Sequence, residues 1–148
     1  MIKRKLSGQS LVEFALVFPI FFFLLTGFFD LGRAVFYYSS LSNAVREAAR
    51  YAIVHVETIN DVAYNDGYML LKQKVEEYSF GVKSSLISTE VVVNPDPDNA
   101  DIRESVSITS TYLFTPITPG IKRIFGAMTG IPLVVQSTMR IEPIGRRE

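Results

Sequence analysis

The stretch LVEFALVFPIFFFLLTGFFDLGR, residues 11–33, holds a nearly unbroken apolar run from Phe14 to Phe29, extended backwards by Leu11 and Val12 and interrupted by Glu13. As a helix, Leu11 to Phe29 measures about 28 Å at ~1.5 Å per residue, close to the ~30 Å hydrocarbon core of a bilayer. Pro19 and Gly27 are costly inside a soluble helix but tolerated in a membrane helix, where kinks and close approaches are accommodated. Lys3, Arg4 and Lys5 precede the run, whereas Asp30 and Arg33 follow it with opposite charges. The positive-inside rule therefore predicts a single-pass protein of the cytoplasmic (inner) membrane, its N-terminus cytoplasmic and the remainder extracytoplasmic.

Two competing readings of such a run are a buried core helix and a cleaved secretory signal. A signal places small residues after its apolar segment and then changes character. Here the helical pattern continues through Leu31, Val35, Tyr38, Leu41, Val45, Ala48, Ala52 and Val56 at three- and four-residue spacing. Ala44, Ala48, Ala49 and Ala52 keep some faces narrow, while Arg33, Asn43, Arg46, Glu47 and Arg50 supply a solvated side. One continuous helix from Ser10 to His55, about 68 Å long, is predicted.

Composition removes several function classes. Lys plus Arg and Asp plus Glu are balanced at 15 each, which provides no basic surface for a phosphate backbone, so no nucleic acid partner is expected. The absence of cysteine excludes a disulfide framework, a thiol nucleophile and a thiolate metal site. His55 is the single histidine and falls at the end of the long helix, where a cation is favoured by the helix dipole. No serine elbow, phosphate-binding glycine loop or His-Glu-x-x-His is present, and no enzymatic activity and no cofactor are expected.

Glu13 does not fit the run around it. A carboxylate inside hydrocarbon costs roughly 2.5 to 3.5 kcal/mol unless it is paired or neutralised. One account has it near the headgroups, snorkelling to water. The other draws on Gly8: a cut between Gly8 and Gln9 removes the basic leader, leaves the apolar helix intact and creates an amino group four residues before Glu13, on the same helix face.

The string GQSLVEFALVFPIFFFLLTGFFDLGRAVFYYSSLSNAVREAARYA, from Gly8 onward, resembles the N-terminal module of TadE-like pseudopilins, the minor pilins of tight-adherence (Tad, or Flp) type IVb pilus systems. The resemblance rests on the glycine before the cut, on Glu13 followed by Phe14, on the Pro-interrupted apolar run, and on the Asp-Leu-Gly-Arg-Ala and Ala-x-Arg-Glu-Ala-Ala-Arg-Tyr strings. Further on, only the layout is similar: Tyr112, Phe114, Pro116, Pro119, Gly126 and a final strand with Met139. The resemblance implies cleavage by a prepilin peptidase between Gly8 and Gln9, with or without methylation of the new terminus. It implies that Glu13, with Phe14, serves subunit pairing and assembly, the carboxylate meeting the N-terminal amine of a neighbouring subunit. The implied partners are the membrane, the prepilin peptidase, other minor pilins, the major Flp-type pilin and the inner-membrane platform. The implied role is in assembling an extracellular pilus for adhesion and surface attachment. The alternative is a permanently membrane-anchored extracytoplasmic binding module that is never processed.

Beyond the helix the composition becomes ordinary. Asn60 and Asp61 are candidate caps for a short helix with Ala63, Leu70, Leu71, Val75 and Tyr78 on its apolar face, ended by Phe80-Gly81. Strands are predicted at Thr89 to Asn94, Ser105 to Phe114 and Leu133 to Ile141. The middle one sets Val106, Ile108 and Tyr112, broken by Ser110, against Ser105, Ser107, Thr109 and Thr111. Asn94 to Asp101 reads as a turn rich in proline and Asx. Asp96, Asp98, Asn99, Asp101 and Glu104 could offer oxygens to calcium, but the glycine and spacing of an EF-hand loop are missing, so no metal is expected. Thr115 to Gly130 reads as a short helix or an exposed loop. The predicted class is α+β: a basic leader at 1–8, a transmembrane helix at 9–30, its amphipathic extension at 31–56, and a small soluble domain at 57–148. That domain is an antiparallel sheet with a short helix, packed on the distal half of the rod.

Overall fold

The computed structural model describes residues 7–55, 66–95, 103–119, 123 and 130–141. Helix α1 runs from Ser7 to Val54 as one element of 48 residues, with Pro19 inside it. Helix α2 spans Asp66–Tyr78, a single 3-10 turn follows at Ser84–Leu86, and three strands complete the head: β1 Ile87–Pro95, β2 Arg103–Phe114 and β3 Ile131–Arg140. The expected α+β arrangement is what the chain adopts. Leader residues 1–6, the proposed caps Asn60 and Asp61, and the acidic turn 96–101 lie outside the described residues.

The sheet is an antiparallel meander of order β1-β2-β3, so β2 is central and pairs with both neighbours. Its inward face carries Val106, Ile108, Ser110, Tyr112 and Phe114, all buried. Ser110, which breaks the apolar alternation in sequence, is wholly buried and bonded through its hydroxyl to that of Thr89 at 2.8 Å. These two residues face each other in the β1–β2 register, so each polar group satisfies the other. Ser107 and Thr138, opposed between β2 and β3 on the other face, repeat the device at 2.7 Å.

The core lies between this sheet and the distal half of α1. Leu41, Ala44, Val45, Ala48, Ala49 and Ala52 are fully buried, with Leu71 and Val75 from α2 and Val135 and Ile141 from the region of β3. The small alanines let strands approach the helix axis closely. Each large aliphatic side chain removed from water contributes ~1.5–3 kcal/mol. Helix α2 packs on α1 and under β1. It ends where expected: Gly81 adopts φ +75°, and a Cβ there would stand 3.1 Å from the Phe36 ring.

One expectation about α1 is corrected. Leu31, Val35 and Tyr38 were read as part of the core stripe, yet they are 63%, 58% and 48% exposed. Leu41, Val45, Ala48 and Ala52 of the same stripe are fully buried as expected, and only ahead of them does the contact shift by one residue, to Asp30, Ala34 and Tyr37. Arg33, expected on the solvated side, lies instead over the rings of Tyr37 and Phe114, with its guanidinium carbon 5.7 and 5.4 Å from their centres.

Candidate functional site

Gly8, Gln9, Glu13 and Phe14 all fall on α1 and all are exposed. The Gln9 Nε2 amide donates to Glu13 Oε1 at 3.3 Å, the geometry expected of an i,i+4 pair. Phe14 begins a ladder of rings along a neighbouring face, 5.3 Å from Phe18, which in turn lies 6.1 Å from Phe22. A Cβ added at Gly8 would meet nothing within 4 Å, and the same is true at Gly27 and Gly32. Glycine costs a helix interior about 1 kcal/mol relative to alanine. Among the described residues, no close contact explains glycine at any of the three positions.

From Leu11 to Leu25 every residue of α1 is exposed, and the apolar stretch is long enough to cross a membrane with none of it covered by the rest of the chain. The head therefore hangs on one end of a rod whose other end is apolar on all sides. That is the layout of a single-pass anchor.

The junction between the two halves is built around Asp30, which is only 4% exposed. Its Oδ1 accepts from the Ile117 backbone N–H at 3.0 Å and from Arg33 Nη1 at 3.1 Å. Its Oδ2 accepts from the Thr118 N–H and from the Thr118 hydroxyl, both at 2.7 Å. Both oxygens are thus satisfied by charge-assisted bonds, which offsets the cost of withdrawing a carboxylate from water. The two backbone donors are consecutive because the segment after β2 bends at Ile117 and Thr118, between Pro116 and Pro119, whose fixed φ angles restrict that segment. Behind the carboxylate, Tyr37 packs edge-on to Tyr112 at 5.3 Å and against Phe114 at 6.0 Å. Burial pushes the Tyr112 phenol above its ordinary range, with the nearby Tyr37 adding to this and Arg33 opposing it.

The structure keeps the four predicted site residues together at the far end of α1 and does not bring them near the head. It adds a site that charge counting did not reveal. Asp30 was read as a flanking charge marking the end of the apolar run, whereas it pins the β2–β3 connection to the helix. The i,i+3 spacing to Arg33 is visible in the sequence, but nothing there points to the Ile117 and Thr118 donors. His55 stands just past the helix end, stacked on Tyr51 at 4.0 Å, its Nδ1 donating to the Tyr51 carbonyl at 3.1 Å.

No curated protein and no solved structure matches the chain. Residues 8–50, which carry Gly8, Glu13, Asp30, Arg33 and the alanine face, match the model of the family described as TadE-like protein, so this helical module is similar to that of the TadE-like proteins.

Proposed function

We propose that the protein is a minor pilin of a Tad/Flp type IVb pilus, processed by a prepilin peptidase between Gly8 and Gln9 and then incorporated with other minor pilins and the major Flp-type pilin. The match of residues 8–50 to the TadE-like model supports an association with Tad pilus systems. The observation that carries the finer reading is the division of α1. Its first half is apolar and exposed on every side, while its second half is buried beneath a three-stranded sheet. A rod of this kind can lie in a bilayer as a precursor and exchange lipid for neighbouring helices in a filament without refolding the head. The open space around Gly8 supports a role for that glycine outside the fold, as a peptidase requires of the residue before its cut. The exposed Glu13 supports pairing with a group from another subunit. The polarity read from Lys3, Arg4 and Lys5 puts the leader on the cytoplasmic side, where the membrane platform would receive it.

The test is the intact mass and first residue of the membrane-extracted protein, made with and without the cognate prepilin peptidase. A peptidase-dependent start at Gln9 is expected. Retention of Lys3, Arg4 and Lys5 in both samples overturns the pilin pathway and leaves an anchored extracytoplasmic binding module in its place.

A further inference from the structure

The apolar surface of α1 continues past the length that a bilayer covers. Counted from Leu11, ~30 Å of helix is used up at Leu31. Yet Leu31, Val35 and Phe36 are 63%, 58% and 49% exposed, and the head sets Ile117, 71% exposed, and Phe80, 80% exposed, beside them. Between Phe14 and Val45 the chain has only two charged residues, Asp30 and Arg33, and these are paired with each other. Asp30 is buried as well, so a segment that reads in sequence as the polar edge of the span presents almost no charge.

At the same level a cavity of about 200 Å³ opens between α1 and the base of β2 and β3, lined by apolar residues that include Gly27, Leu31, Phe114 and Ile131, with Asp30 also on its wall. On the helix it extends from ~24 to ~34 Å beyond Leu11, which brackets the boundary between acyl chains and headgroups. Gly27 leaves its wall open on the helix side, since a Cβ there meets nothing within 4 Å.

We propose that this pole of the head is a phospholipid contact site. The first methylenes of an outer-leaflet acyl chain occupy the groove, Leu31 and Ile117 are immersed at the acyl boundary, and the partly exposed Arg33 guanidinium stands at the height of the phosphates. A lipid is the occupant because the span fixes the height of the groove, because its lining is apolar apart from Asp30, whose carboxylate is taken up by its own hydrogen bonds, and because that lining is continuous with the exposed helix below it. The Asp30 bonds to Ile117 and Thr118 acquire a second purpose: they present Ile117 on the membrane side as a fixed element instead of a loose loop. The inference rests on α1 crossing a membrane and is independent of pilus assembly.

Because the chain has no cysteine, single labels can be introduced cleanly. The full chain carrying Leu31→Cys, Ile117→Cys, Phe21→Cys or Gln136→Cys, each labelled with bimane, is reconstituted in vesicles of phosphatidylethanolamine and phosphatidylglycerol at about one chain per vesicle. Gln136 is exposed on β3, five residues or ~17 Å up the strand from Ile131. Labels at 31 and 117 are expected to be quenched by a nitroxide on the fifth acyl carbon several times more than the label at 136, and by aqueous iodide several times less. Equal behaviour at 117 and 136, with the label at 21 still quenched by lipid, overturns the contact site alone. Lack of lipid quenching at 21 overturns the span itself. Protection of 117 that appears only as chain density in the vesicles is raised identifies a second copy as the occupant and also overturns the proposal.

Discussion

Glu13 and Asp30 are carboxylates on one helix, about 26 Å apart along its axis. Asp30 is buried and receives four hydrogen bonds from its own chain, from Ile117, from Thr118 twice and from Arg33. Glu13 is exposed and receives a 3.3 Å contact from the Gln9 amide. An exposed contact of that length contributes little net free energy. The fold thus depends on the first charge and is nearly indifferent to the second. Two residues of the same chemistry, both beside apolar sequence, divide into one that holds the molecule together and one whose purpose must come from its surroundings.

Asp30→Ala gives the largest change this contrast predicts. It leaves the buried Thr118 N–H and the part-buried Ile117 N–H without their acceptor, and it leaves Arg33 beside two rings without its carboxylate. A loss of ~3 kcal/mol in stability of the head is expected, from the cost of orphaned buried donors. Chemical unfolding of the full chain in detergent, followed by near-ultraviolet circular dichroism of the tyrosines, measures it. Asp30→Asn should recover part of the loss, since one amide oxygen still accepts. A stability unchanged by Asp30→Ala would erase the distinction between the two carboxylates.

The two halves of α1 differ in the same sense. Ala48 is fully buried in the core that α1 forms with the rest of the head, so Ala48→Leu overpacks it and should cost about 2 kcal/mol. Leu16 is 68% exposed, so Leu16→Ala should leave unfolding of the head unmoved to within ~0.5 kcal/mol. Thr118→Val, which removes one donor to Asp30 and keeps the backbone bond, should fall between them at ~1 kcal/mol. All three can be read in the same unfolding experiment. A cost at Leu16 equal to that at Ala48 would mean that the membrane half packs on the head after all.

The rod and the three strands were legible because their signals are local. Apolar length and period mark α1, alternation marks β2, and Phe80-Gly81 marks the end of α2. The Asp30 cluster was not legible, because its partners come from 87 and 88 residues further along the chain and its donors are backbone groups that carry no sequence signature. The stripe through Leu41, Val45, Ala48 and Ala52 is buried as its period indicates, but at its near end apolarity favours Leu31, Val35 and Tyr38 while the structure buries Asp30, Ala34 and Tyr37 in part or in full. The Gly8, Gln9, Glu13 and Phe14 cluster is legible as a pattern, yet its geometry within a single chain is plain exposed helix. The roles proposed for it involve a protease and neighbouring subunits, which a single chain does not contain.

The smallest folding effect therefore belongs to the residues with the largest expected effect on function. Glu13→Ala should change stability of the head by less than ~0.5 kcal/mol, since its side chain is exposed and touches nothing from the sheet. Gly8→Ala should be neutral or slightly favourable, because the added methyl meets open space in a helix. In cells producing the prepilin peptidase, Glu13→Ala is expected to yield the Gln9 terminus and yet stay in the membrane fraction when filaments are sheared off, whereas Gly8→Ala is expected to keep the leader. The pair separates recognition from assembly without disturbing the fold. Normal incorporation of Glu13→Ala into sheared filaments would mean that its carboxylate snorkels to water and pairs with no other subunit. The same result together with a lost cut at Gly8 would retain processing and move the assembly determinant elsewhere on the exposed half of α1, where the Phe14, Phe18 and Phe22 ladder is the next surface to probe.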